Sequence, residues 1–482
     1  MKTFVFAIGG TGARVLRAVT MFMAMDLDVP GEIIPIVIDM DLKNGDTSRT
    51  IKLLDDYRTV STSAYGENRP DSGFFRNKLG TLGTIVAKGE KKELDGVGDG
   101  FQLDFGEIET TFNNYIQGNH LGSLDTDFLS SLFDDSPSDQ PRTELNLKLH
   151  HGFKGNPNIG SIVFNNLINT PEFRYFENVF SEEDRIFIIS SIFGGTGSSG
   201  FPQLVKNIRN SNNNYIKQAP IGALVVKPYF RVKKDGASSI DSDTFNSKTK
   251  SALTYYAQEI DDDIDAVYYL GDTPGNAIEN NMGGAEQKNS AHVIEVLGAS
   301  ALMHYLRQSD TTLRSKSKDA YEFGYLSPNN GVTTDRLQIK HLSEDREWTA
   351  LVEFALFAKY FREGLDPRDD EDFFKDMQIG ELRKEKFHKH LAQFVDSFYE
   401  WVSELRNNTR AFDPVNLEGE FKNFMKHDKI GDFEKKFLSD KFTKNMNNRG
   451  KAEETNRERH LLASMHHAVD ALLKKHIDKV YV

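Results

Sequence analysis

The sequence predicts an α/β fold built on a parallel sheet, followed by a mainly helical C-terminal region. Three observations carry this. Apolar runs at 3–8 (TFVFAI) and 185–192 (RIFIISSI) each end in a glycine-rich turn that leads into helical periodicity. Further apolar runs at 33–38 (IIPIVI), 221–226 (IGALVV) and 265–270 (DAVYYL) supply more strands. Beyond Trp348 the apolar residues recur at three- and four-residue steps, which is a helical pattern.

In chain order, Gly9-Gly10-Thr11-Gly12 closes the first strand, and Val15, Leu16, Val19, Phe22 and Met23 mark a helix after it. The second strand ends in Asp39-Met40-Asp41. Residues 50–145 read as a less regular insertion, with an exposed loop at 134–142 (DDSPSDQPR). A helix is expected after the stretch 152–160 (GFKGNPNIG). The strand at 185–192 runs into Phe193-Gly194-Gly195-Thr196-Gly197-Ser198-Ser199-Gly200, with a helix expected to start near Pro202, since proline suits a first helical turn. Residues 292–306 are apolar nearly all round and predict a buried helix. Residues 309–345 read as a connection. In the helical region of 346–482, one stripe holds Leu351, Phe354, Ala355, Ala358 and Phe361. A second holds Phe387, Leu391, Phe394, Phe398, Trp401 and Leu405. A last amphipathic helix is expected at 461–477, with His460, His466 and His467 on its surface.

Composition narrows the function. The 482 residues hold 59 Lys plus Arg against 72 Asp plus Glu, a net charge of −13. A general nucleic-acid binder needs the opposite excess to neutralise phosphates. The chain has no cysteine, which excludes disulfides, thiol nucleophiles and Cys-ligated metals. No stretch approaches the roughly 20 apolar residues of a membrane span. A soluble, cytoplasmic protein is expected.

The chemistry lies in the glycine turns. Glycine lets backbone N–H groups approach a phosphate, and the following helix N-terminus adds partial positive charge. One such turn is common as a plain strand–helix connection; two in one sheet point to a ligand. A Rossmann dinucleotide site would use Gly9–Gly12, with Asp39 on the ribose. It leaves the turn at 194–200 unused. Neither turn carries the lysine of a P-loop.

The ordered set resembles the tubulin/FtsZ superfamily. Gly194-Gly195-Thr196-Gly197-Ser198 resembles its signature loop GGGTG[ST]G, set between a strand and a helix with a proline after the loop. Gly155-Asn156-Pro157-Asn158-Ile159-Gly160 resembles an Asn-Pro-x-x-Gly loop of the bacterial branch. IGGTGARVL resembles the first loop, and 37–41 (VIDMD) the second. ALVVKPY at 223–229 and the helix at 292–306 resemble the later strand and the long core helix. More narrowly, the chain resembles divergent bacterial tubulin-like proteins.

The resemblance implies a tubulin/FtsZ-like GTP-binding domain over 1–308, a GTP or GDP ligand with Mg2+, and head-to-tail self-assembly into filaments. By position, Gly9, Gly10, Thr11 and Gly12 would contact phosphates, as would Gly194, Gly195, Thr196, Gly197 and Ser198. Gly155 and Asn156 would lie by the γ-phosphate. Asp39 and Asp41 would lie near phosphate or Mg2+, with no direct protein ligation of the metal implied. Asn289, then His292, would approach the base. The sequence departs from the family at Phe193 and Ser199, where the signature has glycines. It also lacks the NxDxx[DE]-like pattern that serves hydrolysis across a polymer contact. Asp310, Asp319 and Asp335 are the acidic residues in that region, so GTPase activity stays open. Three other readings stay open: a non-polymerising nucleotide switch whose helical tail binds a partner protein, a dinucleotide enzyme, and a scaffold that binds nothing.

Overall fold

The computed structural model describes every residue except 42, 86–98, 106–109, 134–143, 154, 234–244, 273–276, 279–283, 316–319, 323–335, 338–345, 364–377, 420–423, 425–441, 447–455 and 474–482. Seven parallel strands form the main sheet: β1 (Lys2–Ile8), β2 (Glu32–Ile38), β3 (Lys78–Leu79), β4 (Arg185–Ser191), β5 (Ile221–Val226), β6 (Ala266–Leu270) and β7 (Ala320–Glu322). Their order across the sheet is β3-β2-β1-β4-β5-β6-β7. The near-continuous Val/Ile/Phe runs of β1, β2 and β4 follow from burial on both faces, as parallel sheets require. Pro35 stands inside β2, yet β3 pairs only with Glu32 and Ile33 and the next bridge on that side is at Val37. The proline's missing N–H therefore falls in a gap in the ladder. Strand β7 lies within the expected connection of 309–345 and extends the sheet by one strand.

The direction of winding reverses at β1 and β4. Helix α1 (Gly9–Ala24) leaves β1 toward β2, while the helix after β4 leads to β5 on the other side. On the α1 face lie α2 (Gly45–Tyr65) and α8 (Val293–Arg307). Helix α3 (Ser123–Leu132) is a short exposed element. On the other face lie α4 (Pro157–Phe164), α5 (Pro171–Val179), α6 (Gly195–Arg209) and α7 (Phe245–Glu259). The segment 50–145 thus contains most of a 21-residue helix, α2, whose buried residues Leu53, Leu54, Tyr57, Val60 and Ala64 keep helical steps that its many polar residues obscure.

Helix α6 starts at Gly195, directly on the glycine turn, and not near Pro202. Pro202 sits inside the helix. Its missing N–H would have bonded the Ser198 carbonyl four residues back. The Tyr256 hydroxyl of α7 donates to that carbonyl instead, at 3.3 Å, which keeps the orphan acceptor satisfied.

Among the described residues, the long helices of the C-terminal region are α9 (Arg346–Glu363), α10 (Lys386–Asn407) and α11 (Arg457–Leu473). It shares one contiguous apolar core with the sheet domain. Phe354 and Phe357 of α9 and Phe394 of α10 pack against Phe74 and Phe75, with ring centroids 4.7–6.3 Å apart. Every member of the Phe387–Leu405 stripe is buried. His466 is no surface residue, because α11 packs on α2 and α9. Its ring meets Phe74 edge-on, and its Nε2 lies 3.0 Å from Asp26. Burial works against ionisation of Asp26, but His466, the Gly73 N–H and Arg76 hold its carboxyl well below the usual range. Asp319 and Asp335, and the loop expected at 134–142, lie outside the described residues.

A buried ionic cluster fixes α1 against its neighbours. Arg14 bonds Glu295 of α8 through Nε at 2.8 Å and Asp46 of α2 through Nη1 at 3.1 Å. Its Nη2 donates to the Tyr229 hydroxyl, which in turn donates to Glu295 at 3.0 Å. One turn along α1, Arg17 pairs with Glu404 and Glu400 of α10. Replacing Arg14 with methionine leaves the buried Glu295 without its cation and takes one of two cations from Asp46, which keeps Arg49, so it should cost about 3–5 kcal/mol. Urea denaturation of Arg14→Met against wild type measures this.

Candidate functional site

The crevice at the carboxyl ends of β1 and β4 is where the sheet's winding reverses, the usual ligand position in open α/β sheets. Three chain segments close on it. Gly9, at φ +68°, begins α1 straight from β1. A Cβ placed on Gly9 would sit 3.4 Å from the Thr196 Cβ and 3.9 Å from the Gly197 nitrogen. A Cβ on Gly195 would sit 2.8 Å from the Gly155 nitrogen. Gly12 and Gly197 need to be glycine because a Cβ would meet the Ala7 carbonyl carbon at 2.7 Å and the Ser191 carbonyl oxygen at 2.5 Å. The glycines therefore bring three backbones into contact, not merely three turns.

Each segment opens a helix, and none of the three N-termini is capped. Helices α1, α4 and α6 have Ile8, Asn156 and Gly194 at their caps, with no side-chain hydrogen bond to the first turn and no acidic residue in it. Elsewhere Ser123–Leu132 and Lys386–Asn407 also lack a side-chain cap, whereas three other helices have one. Asn44 caps α2, Thr170 caps α5, and His292 with Glu295 forms a capping box on α8. A helix N-terminus leaves backbone N–H donors unsatisfied and carries about half a positive charge. Three of them converge here with no internal acid to balance them. An anion of several charges matches this arrangement.

The remaining sequence candidates divide into two groups. Gly9, Gly10, Thr11, Gly12, Gly155, Asn156, Gly194, Gly195, Thr196, Gly197 and Ser198 all belong to the three segments. Asp39 and Asp41 lie at the end of β2. Asp39 accepts from the Asp41 N–H at 3.2 Å and from the Thr47 hydroxyl at 3.0 Å. Asp41 accepts from the N–H groups of Lys43 and Gly284. Burial pushes the Asp39 carboxyl up to about 7, against those two hydrogen bonds and helped by Asp41 and Asp46. Among the described residues no three His, Asp or Glu side chains form a group able to hold a metal.

Asn289 is engaged elsewhere. Its side-chain amide and backbone N–H both donate to Asp46, at 2.9 and 3.1 Å, and its carbonyl accepts from Arg49. His292 caps α8, accepting from the Ile294 N–H at 3.1 Å, and burial pushes its pKa down to about 4. Asp310 pairs with Arg185 at the start of β4, the edge of the sheet opposite the crevice. The two departures from the signature have structural reasons. Phe193 packs on Phe230 and Phe245, at 5.5 and 5.0 Å. The Ser199 hydroxyl bonds back to the Gly195 carbonyl at 2.7 Å, beside Gly160.

Two side chains at the crevice escape sequence reasoning. Lys248 of α7 donates to the Gly155 carbonyl at 2.9 Å. Asn44 brings its amide to 3.9 Å from a Cβ on Gly10 and donates to Gln287 at 2.9 Å. Nothing in the sequence around Lys248 links it to a loop 93 residues away.

No protein-family profile and no curated protein matches the chain. Among solved structures it is similar to CetZ2 of Haloferax volcanii, a GTPγS-bound protofilament, at 13% identity and a TM-score of 0.29, over 64% of this chain and 58% of that one. It is similar also to CetZ of Methanosaeta thermophila strain DSM 6194, at 13% and 0.30, over 65% and 56%. A third is CetZ1 of Haloferax volcanii, a GDP-bound monomer, at 12% and 0.26, over 58% and 54%. The chain thus spans somewhat more than half the length of each.

The raised pKa of Asp39 has a signed consequence. The unfolded chain releases this proton near pH 4, the folded chain near 7. Ionised Asp39 therefore destabilises the fold increasingly as pH rises between those values, by up to about 4 kcal/mol. Asp39→Asn removes the titration. Its urea midpoint relative to wild type should rise from pH 5 to pH 8, and an unchanged gap would return Asp39 to ordinary behaviour.

Proposed function

We propose that this chain is a tubulin/FtsZ-type protein that binds GTP or GDP with Mg2+ in the crevice and assembles head to tail. The observation that carries nucleotide binding is the convergence of three uncapped, acid-free helix N-termini on one glycine-lined crevice. The first turns of α1 and α6 would hold the α and β phosphates. Gly155 and Asn156, with Lys248 behind them, would face the terminal phosphate. Asp39 and Asp41 would stand near Mg2+ through water, and a divalent cation there would offset the cost of ionising Asp39. The ion would supply charge neutralisation at the phosphates.

The dinucleotide reading fares less well on one point. It needs Asp39 free for a ribose hydroxyl, whereas Asp39 is buried and already accepts from Thr47 and Asp41. For the base, Asn44, whose amide lies 3.9 Å from a Cβ on Gly10, and its partner Gln287 would be candidates beside Asn289 and His292. Hydrolysis remains part of the proposal only in trans. Asp310 lies at the opposite sheet edge, so it reaches a nucleotide only when copies stack with opposite edges in contact. Such heterologous contacts build filaments when the rotation does not close.

One titration tests this. GTP with Mg2+ should bind wild type and raise light scattering, and Thr196→Arg, which fills the crevice, should lose both. Binding without scattering would favour the nucleotide switch. NAD(P) binding without GTP binding would restore the dinucleotide enzyme. Lys248→Gln should weaken GTP about 10-fold, the scale of one charge-assisted contact, as read by calorimetry.

A further inference from the structure

The first residues of three neighbouring strands, Lys2 of β1, Glu32 of β2 and Lys78 of β3, stand side by side in register. They mark the amino edge of the sheet. Strand β1 has 7 residues, which puts this edge about 20 Å from the glycine crevice. A cleft of about 610 Å³ opens here. Lys2, Arg69, Arg76 and Lys78 line it, against the single acid Glu32. Its shape depends on two glycines. Gly31, at φ +74°, passes so close to Met1 that a Cβ would meet the Met1 carbonyl oxygen at 2.5 Å. Gly80 leaves the same clearance to the Glu32 carboxylate.

The lining of the cleft holds more cations than acids, and most of their partners lie outside it. Lys2 is held by Asp184 at 2.9 Å, and Arg76 by Asp26 at 3.2 Å. Lys78 pairs with the highly exposed Glu67 at 3.3 Å, a contact of the kind water screens, and lies near Glu32. Arg69 pairs with no carboxylate among the described residues. Its Nη1 donates to the carbonyl and hydroxyl of Ser61, and its guanidinium lies over the Tyr65 ring at 5.8 Å. Its Nε is buried without a partner. Burial lowers the Arg69 pKa, outweighing the opposite pull of Tyr57, Glu67, Tyr65 and Glu32. An arginine in contact with no carboxylate among the described residues, with Nη2 as its uncommitted end at the wall of an open cleft, matches a carboxylate or phosphate group. The volume is larger than one such group needs and falls in the usual range of small-ligand sites. Val29 and Ile85 give it an apolar wall.

We infer that this cleft is a second ligand site, one that takes a small polyanion bearing phosphate or carboxylate groups, with Arg69 as its main anchor and Lys78 as a flank. It does not depend on what occupies the glycine crevice.

Calorimetry on the full chain tests it, with pyrophosphate in one arm and citrate in the other to separate the two anion chemistries. At least one should bind wild type at millimolar concentration or below. Its affinity should fall about 10-fold or more in Arg69→Gln, stay within about 2-fold in Thr196→Arg, and weaken with added salt. If Arg69→Gln fails a circular-dichroism check of folding, Lys78→Gln replaces it, with a loss of about 3- to 5-fold expected. No binding of either anion, or binding lost in Thr196→Arg and kept in Arg69→Gln or Lys78→Gln, overturns the inference.

Discussion

The structure depends on how Arg14 is buried. A guanidinium one turn inside the helix that begins at Gly9 is fully removed from water and holds Asp46, Glu295 and the Tyr229 hydroxyl at once. Burial alone would lower its pKa, yet Tyr229 and the two carboxylates outweigh that and raise it. Desolvating such a set costs several kcal/mol per ion, so it is not an efficient source of stability. What it supplies is register. A rotation of α1 by one residue would leave Arg14 and Glu295 unpaired in the core, while Asp46 kept Arg49. The glycines at the start of α1 are therefore held at one angle to the sheet, facing Thr196.

The same cluster continues outward. Asp46 also takes both N–H groups of Asn289 and pairs with Arg49 at 2.8 Å. Arg49 and Arg17 share Glu404, which also accepts the Ala291 N–H at 2.9 Å. Arg410, just beyond α10, forms a two-pronged pair with Asp272 near the end of β6, at 2.7 and 2.9 Å. A chain of charges thus runs from the helix of the first glycine turn to the helical region. The apolar stripes of that region face the same way and are consumed inside the protein. Its packing with Phe74, Phe75 and Tyr57 makes it part of one core rather than a detachable arm.

The two edges of the parallel sheet have opposite characters for a simple reason. At the carboxyl edge, glycines admit close backbone approach, and helix dipoles point their positive ends into the crevice. At the amino edge the strands begin with side chains, so charge there comes from lysine and arginine. On the two readings proposed above, both edges would take anions, one through backbone and the other through side chains.

Much of the fold was legible in the sequence. Apolar runs ending in glycine gave the central strands, because a buried parallel strand must be apolar on both faces. The glycine turns and the stripes at 351–361 and 387–405 were legible for the same local reason. Helix α2 and the short strands β3 and β7 were not. Their residues are polar or too few to carry a period, and they hold their shape through what packs on them. The site divides along the same line. Sequence determined which backbone segments could cradle an anion, since that property belongs to glycine and to a following helix. Only the tertiary structure decided that the three segments touch and that Asp46 engages Asn289. It alone set Asp310 at the far edge and brought Lys248 to Gly155. Those are facts of long-range contact, and no local pattern encodes which distant charge a buried group will meet.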